Sequence, residues 1–209
     1  MPQEPENKTA IAFIDGQNLF HSVAECFGYN YPNFDLKRLV DAIAVENDFW
    51  VKQIRFYTGI PDLSRDPFWH KFWAAKMVGM GRNKIHLFTR PLKYRTEYIT
   101  HDDGTSCSVD YKQEKGIDVR IALDVISLAI DGAYDVALVF SQDQDLAELA
   151  PDIIKISKAQ NKWLQICSVF PDGPAAKNKR GINNTHWIKF DQNLYDSCID
   201  HTDYRPKSK

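Results

Sequence analysis

Four aspartates stand where apolar runs end or a helix begins, and carboxylates so placed can hold a hard cation. Asp15 closes the run Ile11-Ala12-Phe13-Ile14 within the phrase IDGQN. Asp143 and Asp145, in SQDQD, follow the run Val136 to Phe140. Asp118, in KGIDVRIALD, stands at a helix start. In a chain that alternates strands and helices, strand ends gather at one edge of a parallel sheet, where such folds bind their ligands. Carboxylates crowded there repel one another unless a cation sits among them, and all-oxygen donor sets suit Mg²⁺ or Mn²⁺. The chemistry implied is metal-assisted attack on a phosphate.

Taken singly, each aspartate has a plainer role. Asp15 and Asn18 suit a turn and a helix cap, with Gly16 allowing the tight turn. Asn18 would cap the next helix, or orient a carboxylate or a water. Asp143 and Asp145 suit the first turn of a helix, where the dipole favours acids. Recurrence at three element ends is what argues for one joint site. Asp124 lies six residues after Asp118, about 120° round a helix, so it is expected in a structural or supporting place. Asp131 and Asp135 flank a turn and are expected to be solvated.

The elements that must position these residues alternate. Strands are predicted over 10–15, 51–60, 84–92, 134–141 and 163–170, with an edge strand over 187–190. Helices are predicted over 18–27, 36–45 after an Asp35 cap, 68–78 stopped by Gly79 and Gly81, 117–130 and about 145–160. A short helix is expected within 191–200. Residues 93–115 break the alternation: 94–100 and 106–111 read as a hairpin around Asp103-Gly104, inserted beside the active edge. The fold class is therefore α/β, three-layered, with a mostly parallel sheet covered by helices on both faces. Residues 1–9 read as a disordered lead, 10–200 as one domain and 201–209 as a flexible tail.

Composition excludes several classes. The chain has 209 residues, 44% apolar, enough for one core, and a net charge of −2 excludes a bulk polycation. Nucleic-acid binding must then use a local basic patch. No apolar run is long enough to span a bilayer, and the N-terminus lacks the profile of a signal peptide. Cys26, Cys107, Cys167 and Cys198 form no CxxC pair, which argues against a zinc or disulfide framework and fits the reducing cytoplasm. The histidines have no ligand spacing, and no GxxxxGK[ST] or GxGxxG loop is present.

The stretches AFIDGQNLF, EKGIDVRIALDVISLA and DVALVFSQDQDLAEL occur in an order and spacing that resemble the NYN domain family. The likeness is to its LabA-like branch within the PIN-like nucleases, and it spans roughly residues 10–190. It implies a parallel α/β sheet carrying an acidic Mg²⁺ or Mn²⁺ site that cuts RNA. By the same resemblance Asp15, Asp118 and Asp143 would bind metal. Asp145 would be a fourth ligand, since SQDQD also resembles the paired acids of flap-type nucleases, with Asn18 at or just behind the metal. Gln142 stands where the family has glycine, and Gln144 and Leu146 where it has serine and phenylalanine; none of these departures removes a carboxylate. The 93–115 hairpin is larger than a minimal member requires.

In such a site the acids would activate a water, and a second cation or a basic side chain would stabilise the leaving oxygen. Lys115 is the nearest basic candidate in sequence, against the plain reading of an exposed charge. RNA contacts are expected from Arg90, Lys93, Arg95, Lys177, Lys179 and Arg180, with Arg82 and Lys84 read as surface charges. Tyr94, Tyr98, His101 and Tyr111 could stack bases, though ordinary cross-strand packing accounts for them more simply. Phe68, Trp69, Phe72 and Trp73 form one helix face, expected in the core or at a homodimer contact. An aspartyl-phosphate phosphatase is disfavoured because Gln17 stands where a second acid is needed. The main alternative to a ribonuclease is a non-catalytic RNA- or metal-binding module acting through a partner or as a dimer.

Overall fold

The computed structural model describes residues 2–100 and 106–206. Six strands, β1 (Lys8–Asp15), β2 (Phe49–Ile60), β3 (His86–Pro91), β6 (Val136–Phe140), β7 (Gln165–Pro171) and β8 (His186–Phe190), form one sheet. All neighbours are parallel, in the order β3-β2-β1-β6-β7-β8. The order reverses between β1 and β6, and a doubly wound sheet opens a crevice at that point, outside the carboxyl ends of its strands. Asp15 ends β1, and SQDQD follows β6.

The helices are α1 (Gly16–Phe27), α2 (Leu36–Glu46), α3 (Pro67–Arg82), α4 (Ile117–Ile130), α5 (Leu149–Gln160) and α6 (Gln192–Ser197). Side chains alternate across a strand, so β1 feeds two cores. Ala10, Ala12 and Ile14 meet α1, α2, α3 and α6 through Leu19, Leu39, Trp73 and Tyr195. Ile11 and Phe13 meet α4 and α5 through Ile121, Val125 and Ile153. This gives the expected three layers. The sheet goes beyond the expectation in being wholly parallel.

The excluded alternation at 93–115 is an antiparallel hairpin, β4 (Lys93–Thr100) with β5 (Ser106–Gln113). Its Asp103-Gly104 turn, His101 and the Tyr98 side chain lie outside the described residues. The base of the hairpin is docked on the loop before α3. The N–H of Asp62 donates to the Tyr94 hydroxyl at 2.9 Å, the Arg65 guanidinium lies 4.7 Å over the Tyr94 ring, and Lys112 pairs with Asp66. Tyr94 is therefore a packing residue.

Several boundaries move. β1 starts at Lys8, inside the expected lead, because Thr9 donates through both N and Oγ1 to Asp135 Oδ2, at 2.9 and 2.6 Å. Asp135, which also pairs with Lys162 at 3.1 Å, is thus a strand anchor and not a solvated turn residue. α3 runs through Gly79 and Gly81 to Arg82. Tertiary packing overrides the weak helix propensity of glycine there: Met80 is buried between them, and a Cβ on Gly79 would come within 2.9 Å of the Tyr204 hydroxyl. Phe72 and Trp73 are core, while Phe68 is 43% exposed, so that face is mostly consumed internally. The tail is not free where it is described. Tyr204 packs edge-on against Phe72 and donates to Asp200 Oδ2 at 2.8 Å. Among the described residues no helix is long and apolar enough to cross a membrane.

Candidate active site

The buried run of β1 delivers Asp15 to the sheet edge, 6% exposed. Its Oδ1 accepts from the N–H of Asn18 at 3.0 Å and caps α1. Gly16 is required by close approach: a Cβ there would sit 2.5 Å from the Phe56 ring. Burial, with Asp143 and Asp118 adding their charge, pushes the Asp15 carboxyl up to about 6 against the pull of the Asn18 and Gln17 N–H groups.

Beyond β6 the chain does not enter a helix at once. Residues Gln144–Glu148 form a 3-10 turn before α5. Asp143 caps this turn, its Oδ1 accepting from Asp145 N at 3.0 Å, while its own N–H donates to Ser141 Oγ at 3.1 Å. Asn18 reaches across from α1, and its Oδ1 accepts from Gln142 N at 3.0 Å. Through that bond Asn18 ties the start of α1 to the loop after β6.

Asp118 lies in the first turn of α4, whose N-cap is Gly116 with φ +72°. Four residues earlier, Glu114 leaves the hairpin and turns into the site. Its Oε2 accepts from Gly59 N, and burial, together with the charges of Asp15 and Asp118, raises its carboxyl to about 7. Glu114 is the residue the sequence reading missed. It stands in the same EKGID phrase as Asp118, but its partner Gly59 is remote in the chain. Asp15 is thus repelled by Asp143 and Asp118, and Glu114 by Asp15 and Asp118. Asp15 and Glu114 line a cleft of about 330 Å³ with Gln17, Asn18, His21 and Gln142.

The donor set is all oxygen and carries excess negative charge, which fits a hard divalent cation. Among the described residues, however, no three acidic, histidine or cysteine side chains are grouped tightly enough to enclose an ion.

The remaining predicted residues divide. Asp145 is exposed and lines a separate groove with Asp118, Glu148 and Asp152 between α4 and α5. Asp124 is fully engaged: Arg55 Nη1 and the Tyr57 hydroxyl donate to Oδ2, each at 2.7 Å, and Arg120 pairs with Oδ1 at 2.5 Å. These bonds tie α4 to β2 through one carboxylate. Lys115 is exposed beside Glu114. Arg90 lies closer to the turn that matters, since a Cβ on Gly116 would meet its Nη1 at 2.7 Å. Lys93 is exposed at the hairpin base, and Arg95 pairs with Glu97 at 3.3 Å, across the ladder from Tyr111. Lys177, Lys179 and Arg180 are exposed on the β7–β8 connection, whose Ala176 and Asn178 wall the cleft of Asp15.

The model of the NYN domain matches residues 8–186. The chain belongs to the NYN domain family. That family comprises nuclease-type domains, so membership carries a nuclease-type function. A solved structure of a protein of unknown function from Vibrio parahaemolyticus is similar over 91% of this chain and 98% of its own. It is 21% identical with a TM-score of 0.53, which supports the NYN fold alone. No curated protein matches the chain.

Proposed function

We propose that this NYN domain, of the LabA-like branch, is a divalent-metal-dependent ribonuclease of the cytoplasm. What supports the reading is that Asp15, at the end of β1, lies within electrostatic reach of Asp118 and Asp143 from two other elements, with Glu114 in the same cleft. Mg²⁺ or Mn²⁺ held there would activate water and neutralise charge on the phosphate. Asp15 and Asp143 would hold the ion, with Asp118 and Glu114 ordering its water. The chain's own groups do the rest. The near-neutral Glu114 carboxyl is suited to exchanging a proton at Oε1 with an attacking water or a leaving oxygen. Arg90, beside Gly116, is placed to offset charge on the phosphate.

The test is cleavage of end-labelled single-stranded RNA with Mn²⁺, Mg²⁺ or EDTA, alongside Asp143→Asn. Metal-dependent cutting that Asp143→Asn abolishes is the expected result. The loose spacing of the acids favours one second reading, a non-catalytic RNA-binding module. Metal-dependent retention of RNA without cleavage, in wild type as in the variant, would select that reading.

A further inference from the structure

Gln142 and Gln144 stand where the resemblance to NYN sequences expects glycine and serine, and both side chains are committed to the β7–β8 connection. Gln142 is 8% exposed, and its Nε2 donates to the carbonyls of Asn178 at 3.1 Å and Arg180 at 2.9 Å. Gln144 Nε2 donates to Gln142 O and Gly181 O, each at 3.1 Å, while its Oε1 accepts from Asn183 N at 3.1 Å. Glu25 Oε1 accepts from Lys177 N at 2.7 Å on the other flank. The far end is seated as well. Ile182 is fully buried, its carbonyl accepts from Trp187 Nε1 at 2.8 Å, and a Cβ on Gly181 would strike Phe170, Ser168 and Trp187.

The backbone of residues 177–183 is therefore held from three sides, and the charged side chains of Lys177, Lys179 and Arg180 are left facing solvent on the cleft rim. Lys179 is near enough to act electrostatically on Cys26, which lines the same cleft as Asp15 and Glu114. A cleft lined by Asp15, Glu25 and Glu114 repels a polyanion, so a strand needs fixed cations beside it to settle there.

We propose that Gln142 and Gln144 clamp the β7–β8 connection as a second phosphate subsite, which grips a phosphate neighbouring the scissile one. The chain then takes oligonucleotides and discriminates against mononucleotides and dinucleotides. This rests on the ribonuclease reading for the identity of the scissile site. The glutamines are positioning residues that act through Lys177, Lys179 and Arg180.

The experiment compares wild type, Gln142→Ala/Gln144→Ala, Lys177→Gln/Lys179→Gln/Arg180→Gln, and all five changes combined. Hydrogen exchange is followed across residues 172–185, and steady-state cleavage in Mn²⁺ is measured on RNAs from dinucleotide to dodecamer. The glutamine variant should exchange faster in that segment and raise KM on the dodecamer about tenfold, the scale of one or two lost phosphate contacts. Its KM on the dodecamer should rise by a larger factor than its kcat falls, and the dinucleotide should show the smallest rise in KM of the series. Adding the charge changes should bring little more, since both act through one subsite. Unchanged exchange, an unchanged KM, or full additivity would overturn the proposal. Should wild type cut none of these RNAs, the ribonuclease reading fails separately. Affinity for the same length series then decides: a length-dependent loss in the glutamine variant upholds the subsite, and equal affinity refutes it.

Discussion

Asn18 Oδ1 accepts the backbone N–H of Gln142 across 3.0 Å, while the backbone N–H of Asn18 donates to Asp15. One residue thereby fixes the end of β1 against the loop after β6, and with it the spacing of Asp15 from Asp143. Asn18→Ala leaves the N–H of Gln142 buried without its acceptor, which costs about 1–3 kcal/mol. The expected outcome is a lower urea midpoint with the same m-value, and a fall in kcat larger than any rise in KM. A variant that lost stability but kept kcat would reduce Asn18 to a cap.

The raised carboxyls make stability depend on pH and on metal. Asp15 rises from 3.8 to about 6 and Glu114 from 4.5 to about 7 on folding. Between the unfolded and folded values the folded chain holds more protons than the unfolded one. Stability contributed by these groups therefore falls as pH rises from about 4 to about 7. Asp15→Asn keeps a helix cap and removes one buried charge, so metal-free protein should gain about 2–3 kcal/mol at pH 8, at one pKa unit per 1.4 kcal/mol. Wild type should show a larger thermal shift with Mn²⁺ at pH 8 than at pH 5, and Asp15→Asn should show little at either. An equal shift in both proteins would detach the cation from Asp15.

What was legible in the sequence followed from local pattern. Asp15, Asp118 and Asp143 each stand beside an element whose apolar periodicity is strong, so their places at element ends could be read before any contact was known. Glu114 could not, because it lies at the exit of an irregular hairpin and its burial depends on Gly59 and Leu92. Gln142 and Gln144 read as neutral departures from a motif, since the carbonyls they hold lie more than thirty positions away. Asp135 and Tyr204 sit in polar stretches that look solvated, and only the fold supplies Thr9 and Lys76 as their neighbours.

Asp124 offers a contrast to the acids proposed to hold the metal. It neutralises Arg55 and Arg120 and accepts from the Tyr57 hydroxyl, whose proton burial holds more firmly than usual. Asp124→Asn leaves two cations unmatched beside the α4 core. Because Arg120 is partly exposed, the cost should be roughly 2–3 kcal/mol, below that of a fully buried pair. Thermal melting reads the loss. The metal concentration giving half-maximal RNA cleavage should stay at its wild-type value at a temperature where the variant remains folded.

Lys76 is a charge in the core, 2% exposed, and the C-terminal segment is what matches it. Its Nζ donates to Phe34 O at 2.9 Å and to Asp200 Oδ2 at 3.3 Å, and it lies 4.9 Å from the Tyr204 ring centroid. Burial lowers the affinity of the Lys76 amine for its proton, with Asp200 opposing. Asp200→Asn should therefore destabilise strongly, because it strands the ammonium, whereas Lys76→Met exchanges the charge for an apolar side chain of similar length and should be close to neutral. Combining Lys76→Met with Asp200→Asn should recover most of what Asp200→Asn alone loses. Tyr204→Ala should expose residues 201–206 to limited proteolysis with a smaller loss of stability. Denaturant melts of the four proteins test the set, and a double variant no more stable than Asp200→Asn would show that Asp200 acts through Thr202 and Tyr204 instead of through Lys76.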